Sequence, residues 1–201
     1  DNELLTISII PVGTLLFIVM LVVSYIFYIY GILVHEAEQE WLADRAYHDE
    51  LCGTYNRTKC NERFDELDAG DAEYALINMD LNGLKTINDS LGHVQGDLLL
   101  QEFAAILQDA FSGMGEVFRM GGDEFLVLVR KEQFPLIDQC LNKMVRLEKR
   151  RSSELTFNIE AAYGVAKSSE CPKESVQKVY MLADRRMYDM KTKQKINQRL
   201  R

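Results

Sequence analysis

The chain of 201 residues holds only three prolines, one tryptophan and four cysteines. Cys52, Cys60, Cys140 and Cys171 form no C-x-x-C pair, and no histidine stands beside them at zinc-ligand spacing. That excludes a zinc ribbon. Nothing else in the composition points to a disulfide-stapled secreted domain, so reduced thiols in a cytosolic domain are expected. Basic charge is scarce as well: 23 Lys and Arg stand against 31 Asp and Glu, a formal net charge of −8. General nucleic-acid binding needs a basic surface, so no nucleic-acid partner is expected. The balance does not exclude a nucleotide that arrives with a divalent cation.

The longest absence is one of charge. No Asp, Glu, Lys or Arg occurs from Leu4 to Val34, and between Val12 and Val34 only Gly13, Thr14, Ser24 and Gly31 are not apolar. As a helix this run of 23 residues spans about 34 Å, enough for a hydrocarbon core of about 30 Å. Tyr25, Tyr28 and Tyr30 cluster toward one end, as interfacial aromatics do. A secretory signal would be shorter, with a basic start and a small-residue cleavage site, and neither is present. Residues 1–34 are therefore expected to hold one membrane segment, a helix over about 12–34. Residues 35–47 follow as a connector helix without Gly or Pro. Val34, Ala37, Trp41, Asp44 and His48 form an imperfect heptad seam, which leaves two readings open: a solvated connector, or a short coiled coil that pairs two copies. The first residue is Asp1 rather than Met, so a fragment whose sensor lies upstream is expected.

Residues 48–201 alternate between helical and strand patterns. Helices are expected near Thr58–Leu67, Gly96–Phe111, Phe134–Arg150 and Glu174–Lys193. The apolar run Tyr74–Met79 reads as a buried strand that ends at Asp80. Glu116–Met120 and Glu124–Val129 flank Gly121-Gly122, a hairpin pattern, and Leu155–Ala166 reads as a further strand. Interleaved elements with one adjacent strand pair predict an α/β (α+β) domain: a mixed central sheet with helices packed on it. No internal repeat is present.

Two stretches carry chemistry. Asp80 at a strand end, with Asp123 and Glu124 beside a glycine turn, is a set of hard oxygen donors suited to Mg²⁺. Gly121 and Gly122 permit positive φ and close approach of a phosphate to the backbone; taken alone, the same tripeptide is an ordinary solvent turn. The second stretch, DLNGLKTINDSLGHVQGDLLL from Asp80 to Leu100, reads as a long polar loop, a form usually functional or disordered. Asp97 follows Gly96 where a helix is expected to open. It is either an N-terminal cap or first-turn acid or an acceptor for a base edge, with Asn88 nearby.

These residues are similar to those of the GGDEF domain family of diguanylate cyclases. Arg119-Met120-Gly121-Gly122-Asp123-Glu124-Phe125 matches the signature R-x-G-G-D-E-F. The run from Asp80 through Lys85, Asn88, Asp89, Gly92, His93, Gly96 and Asp97 resembles the family's second block. Asp49 to Arg57 resembles its entry motif, and Ala183-Asp184, Met187-Tyr188 and Lys191 its closing motif. The resemblance covers about residues 48–197. It implies a palm-like nucleotide cyclase fold and the condensation of two GTP molecules into cyclic di-GMP by a membrane-anchored homodimer, with the cyclase domain in the cytoplasm and cyclic di-GMP effectors downstream. It implies Mg²⁺ or Mn²⁺ held by Asp80, Asp123, Glu124 and the Leu81 carbonyl. Asp123 would also deprotonate the ribose 3′-OH, and Lys85 would stabilise charge on the phosphates. Asn88 and Asp97, with His93 nearby, would read guanine. Lys191 and Lys195, with Gly121 and Gly122, would meet the triphosphate.

Some positions depart from the pattern. Cys52 stands for Thr and Thr54 for Leu in the entry motif. Lys195 stands where the family often has Arg, which removes a bidentate fork. Ser112 and Gly115 replace the Arg and Asp of the product-inhibition motif. The chain ends soon after Ile196, and a final edge strand is expected to be missing. A degenerate module that binds GTP and regulates a partner is the alternative, but such modules usually lose one of the carboxylates kept here.

Overall fold

The computed structural model describes the backbone of residues 2–199 and the side chains of 13–36 and 46–196. The chain divides into two compact units, residues 1–46 and 47–201, and each is described by itself. The first consists of helix α1 (Asn2–Tyr47 in full). Its stretch Gly13–Glu36, of mean hydropathy 2.5, is long and apolar enough to cross a membrane, and none of it is buried. The side chains of Ala37, Trp41 and Asp44 in the candidate seam lie outside the described residues. His48, assigned to the same seam, lies beyond the end of α1. It bridges Tyr55 in the second unit, with the two rings 4.8 Å apart.

The second unit is built on five strands: β1 (Tyr55–Asn56), β2 (Tyr74–Leu81), β3 (Gly115–Gly121), β4 (Glu124–Arg130) and β5 (Ala161–Lys167), in the order β1-β3-β4-β2-β5. β1 pairs parallel with β3, and the other pairings are antiparallel. Helices α2 (Arg57–Ala69), α3 (Leu84–Leu91), α4 (His93–Ala110), α5 (Ile137–Glu154) and α6 (Val176–Arg199) cover both faces. This is the mixed sheet expected from the pattern of elements.

Every residue of β2 is buried, because the strand lies between two cores. Ala75, Ile77, Met79 and Leu81 join Phe103, Leu107 and Phe125 on the face covered by α4 and α5. Tyr74 and Leu76 join Phe118, Leu126 and Val179 on the face covered by α2 and α6. A period of two with both faces apolar gives the near-continuous hydrophobic run that made this strand legible. α6 lies close on β5: a Cβ at Gly164 would stand 2.1 Å from the Ala183 carbonyl oxygen, so only glycine fits there.

The structure departs from the expected elements in several places. The stretch Asp80–Leu100 is not a loop. It completes β2, forms α3, turns at Gly92 (φ 89°) and enters α4 at His93. Leu84 and Ile87, three residues apart, pack toward the core and turn this polar sequence into an amphipathic helix. α5 runs past Arg150 to Glu154, and the next strand begins at Ala161 rather than Leu155. Ser152 holds the connection between them: its hydroxyl accepts from the Ile159 N–H at 2.8 Å. The two-residue strand β1 was not expected at all. Tyr55 and Asn56 read as part of the entry motif, and their partner lies some sixty residues away.

One buried acid stands out. Glu148 on α5 is 6% exposed and accepts from the Ala161 N–H at 3.2 Å. Burial, with Glu160 adding like charge, pushes its carboxyl from 4.5 up to about 8. The folded state therefore keeps a proton that the unfolded chain gives up between these values. Its stabilising effect is full below about pH 4.5 and is lost as pH rises through about 8. Thermal unfolding of wild type and Glu148→Gln between pH 5 and 8.5 should show the wild type losing more melting temperature as pH rises. Parallel curves would contradict the assignment.

Candidate active site

The register of β2 and β4 sets the site. Asp80 pairs with Glu124 across the two strands, and the Leu81 N–H donates to the Asp123 carbonyl at 2.9 Å, which ties the end of β2 to the hairpin. The hairpin connects β3 to β4 through Gly122-Asp123. Gly121 (φ 139°) and Gly122 (φ 54°) both take positive φ, and the register slips by one residue between Arg119 and Gly121. Side chains other than glycine rarely adopt these angles.

Asp80 forms an ion pair with Lys191 of α6. Glu124 reaches solvent, yet its proton affinity is raised, first by burial and then by the charges of Asp123, Asp80 and Asp184, with Arg57 opposing. Like-charged carboxylates gathered at one strand end are a donor set that a divalent cation would stabilise. Their chemistry fits Mg²⁺ or Mn²⁺. Among the described residues no three His, Cys, Asp or Glu side chains converge closely enough to hold an ion, so the fit rests on donor type and adjacency.

A cavity of about 250 Å³ adjoins these groups. Leu81, Asn82, Gly83, Lys85, Asp123, Lys191, Gln194 and Lys195 are among its lining residues. The structure therefore gathers Lys85, Lys191 and Lys195, from two helices far apart in sequence, around Asp123. Asn88, His93 and Asp97 do not line this cavity; they lie on α3 and α4. Asp97 is the fifth residue of α4 and exposed, so it is not the helix cap that Gly96 seemed to announce. Gly96 has another reason to be glycine: a Cβ there would stand 1.9 Å from Asn88 Oδ1. That oxygen is buried and lacks a hydrogen-bond partner among the described residues. At Gly115, where the family's inhibitory aspartate would stand, a Cβ would lie 2.8 Å from the Leu128 carbonyl oxygen.

Sequence reading missed the brace on the hairpin. Arg119 donates from Nε and Nη2 to the Gly122 carbonyl at 3.2 and 3.0 Å, and from Nη1 to both Asp49 carboxylate oxygens at 3.0 and 3.2 Å. Asp49 also accepts from the Leu51 and Cys52 N–H groups. Burial pushes its carboxyl up, but Cys52 N–H and Arg119 outweigh that and hold it below the usual carboxylate range. Both residues stood within recognisable motifs, but no local signal pairs positions 70 apart. Asn82 and Gln194 were missed for the same reason: Asn82 Nδ2 donates to Gln194 Oε1 at 3.0 Å across 112 residues.

Helices on both faces of a mixed sheet, with carboxylates at a strand end, place this unit in the class of α/β nucleotide cyclase domains. The chain belongs to the family described as diguanylate cyclase, GGDEF domain, whose model matches residues 46–197. Diguanylate cyclase DgcS of Shewanella oneidensis is 28% identical over 163 residues, covering 79% of this chain and 54% of that protein. The probable diguanylate cyclase DgcI of Escherichia coli is 31% identical over 147 residues, covering 73% of this chain and 31% of that one. The chain thus spans about half of the first relative and under a third of the second. The coiled coil and GGDEF domain of DgcB from Caulobacter crescentus, solved in complex with c-di-GMP, superposes with a TM-score of 0.68 at 23% identity. That superposition covers 80% of this chain and 88% of the solved one.

The brace yields a prediction. Arg119→Met leaves Asp49 partly buried without its cation and should cost about 1–3 kcal/mol. Amide exchange at Gly122 and Asp123 should accelerate in parallel. Unchanged denaturant unfolding and exchange would show that Arg119 does not hold the hairpin.

Proposed function

We propose that the chain is a membrane-anchored diguanylate cyclase that condenses two GTP molecules into cyclic di-GMP and two pyrophosphates. The gathering of Lys85, Lys191, Lys195 and Asp123 around one cavity beside the Asp80–Glu124 pair is the observation that carries this reading. In the reaction a ribose 3′-OH attacks an α-phosphate and pyrophosphate leaves. Negative charge on the phosphates is met by Lys85, Lys191 and Lys195, the cationic donors that line the cavity. Lys191, paired with Asp80, exchanges this carboxylate for the triphosphate when substrate enters. Asp123 accepts the 3′-OH proton. Asn88, with its unmet acceptor, and Asp97 read the guanine edge, with His93 nearby, while Gly121 and Gly122 allow the phosphates to approach the backbone. Asp80, Asp123, Glu124 and the Leu81 carbonyl would hold Mg²⁺ or Mn²⁺, which supplies Lewis-acid neutralisation of the triphosphate when bound.

The product is symmetric, and one domain carries one set of guanine-reading residues and one set of carboxylates. Two copies must face each other, so a homodimer is the working form. α1 supplies the anchor, with residues 35–47 as the connector between membrane and cyclase domain. GTP is a cytosolic nucleotide, which sets the cyclase domain on the cytoplasmic side. A second reading, a GTP-binding module that regulates a partner, is favoured by Lys195 in place of Arg, which removes the bidentate fork on the triphosphate.

The test is formation of cyclic di-GMP from GTP and Mg²⁺ by the full chain in detergent, beside Asp123→Asn. The wild type should turn over GTP. The variant should form no product while its melting temperature stays near wild type. GTP binding without product by the wild type would establish the second reading. Product from the variant at near wild-type rate would overturn the role of Asp123.

A further inference from the structure

A second cavity, of about 680 Å³, lies between α5, the 155–160 connection, β5 and α6. It shares only Gln194 with the lysine-lined cavity. Its volume falls within the range of small-molecule sites. Val145, Ile159, Ala161 and Met190 give it apolar walls, and Glu148 stands in it. The hydrogen bond from Ala161 N–H is the one that Glu148 makes among the described residues, and no Lys, Arg or His forms an ion pair with it there. The proposed reaction uses none of these groups. A carboxyl this deep normally has a charged partner or is kept for a task. Here burial leaves it protonated for most of the time at neutral pH. A cation that displaced the proton would supply the missing partner, and an aliphatic body would fit the apolar walls.

We propose that this cavity is an effector site for a small aliphatic cation, an amine or a guanidine, which pairs with Glu148. Occupancy has a short path to the lysine-lined cavity. Gln194 donates from Nε2 to the Ala161 carbonyl at 3.2 Å and accepts from Asn82 Nδ2 at 3.0 Å. The Asn82 N–H donates to the Glu160 carbonyl at 2.9 Å. Three hydrogen bonds thus join one wall of the effector cavity to Asn82, which stands between Leu81 and Gly83 of the other. A cation that shifts Ala161 or Gln194 moves the backbone beside Lys85.

Binding is measured without nucleotide, so the proposal stands or falls apart from the cyclase reading. The probe is agmatine, titrated calorimetrically into the full chain in detergent at pH 7, in two buffers of different ionisation heat. Saturable binding at one site per chain is expected, with release of a proton to the buffer. Glu148→Gln should weaken it at least tenfold. Val145→Trp, which fills the cavity and keeps the carboxyl, should weaken it equally; it carries the test if circular dichroism shows the first variant unfolded. Asp123→Asn should bind as wild type. Absence of saturable binding, wild-type affinity in both cavity variants, or loss of binding in Asp123→Asn would overturn the proposal, the last by placing the cation on the strand-end carboxylates.

Discussion

The pairing of β2 with β4 is the constraint on which the rest of the site depends. It sets Asp80 opposite Glu124 and brings the Asp123 carbonyl to the Leu81 N–H. A slip of one residue would turn the strand over, sending Asp80 into the core under α4 and α5 and Met79 onto the face covered by α2 and α6. Two cores prevent that slip, because both faces of β2 are packed. The price is electrostatic: acids that repel one another are held at one sheet end. Lys191 offsets part of that repulsion from α6, and α6 can do so because Gly164 lets it lie against β5. Arg119 keeps the hairpin in place from the other side through Asp49. Sheet register, a close helix and one braced turn together give the local geometry that the proposed chemistry needs.

Much of this was legible in the sequence. Tyr74–Met79 announced β2 because a strand buried on both faces leaves an unbroken apolar run. Gly121-Gly122 announced the hairpin because the turn needs positive φ, and the signature residues around it identified the family. The helix α3 was not legible: LKTINDSL has few apolar residues and glycines on both sides, and only tertiary packing of Leu84 and Ile87 decides its form. Asp97 was misplaced for a related reason. Gly96 looked like a helix opening, whereas α4 opens three residues earlier at His93 and Gly96 leaves room for the Asn88 side chain. Arg119–Asp49, Asn82–Gln194 and the β1–β3 pairing join positions from about 60 to 112 residues apart, and no local pattern encodes such a partner.

On the proposed reading, the sequence joins two requirements in one chain. The cyclase domain carries one half of a symmetric reaction, and the apolar helix with its connector confines copies to a membrane plane. Confinement raises the effective concentration of one domain near another, to roughly millimolar for short linkers. Two domains meeting face to face is the central claim, and specific activity against enzyme concentration tests it most directly. Residues 47–201 alone should show specific activity that rises with concentration, while the chain with a parallel leucine zipper in place of residues 1–40 should already be active at low concentration. A flat line for the isolated domain, at the level of the zipper fusion, would contradict the two-domain active site.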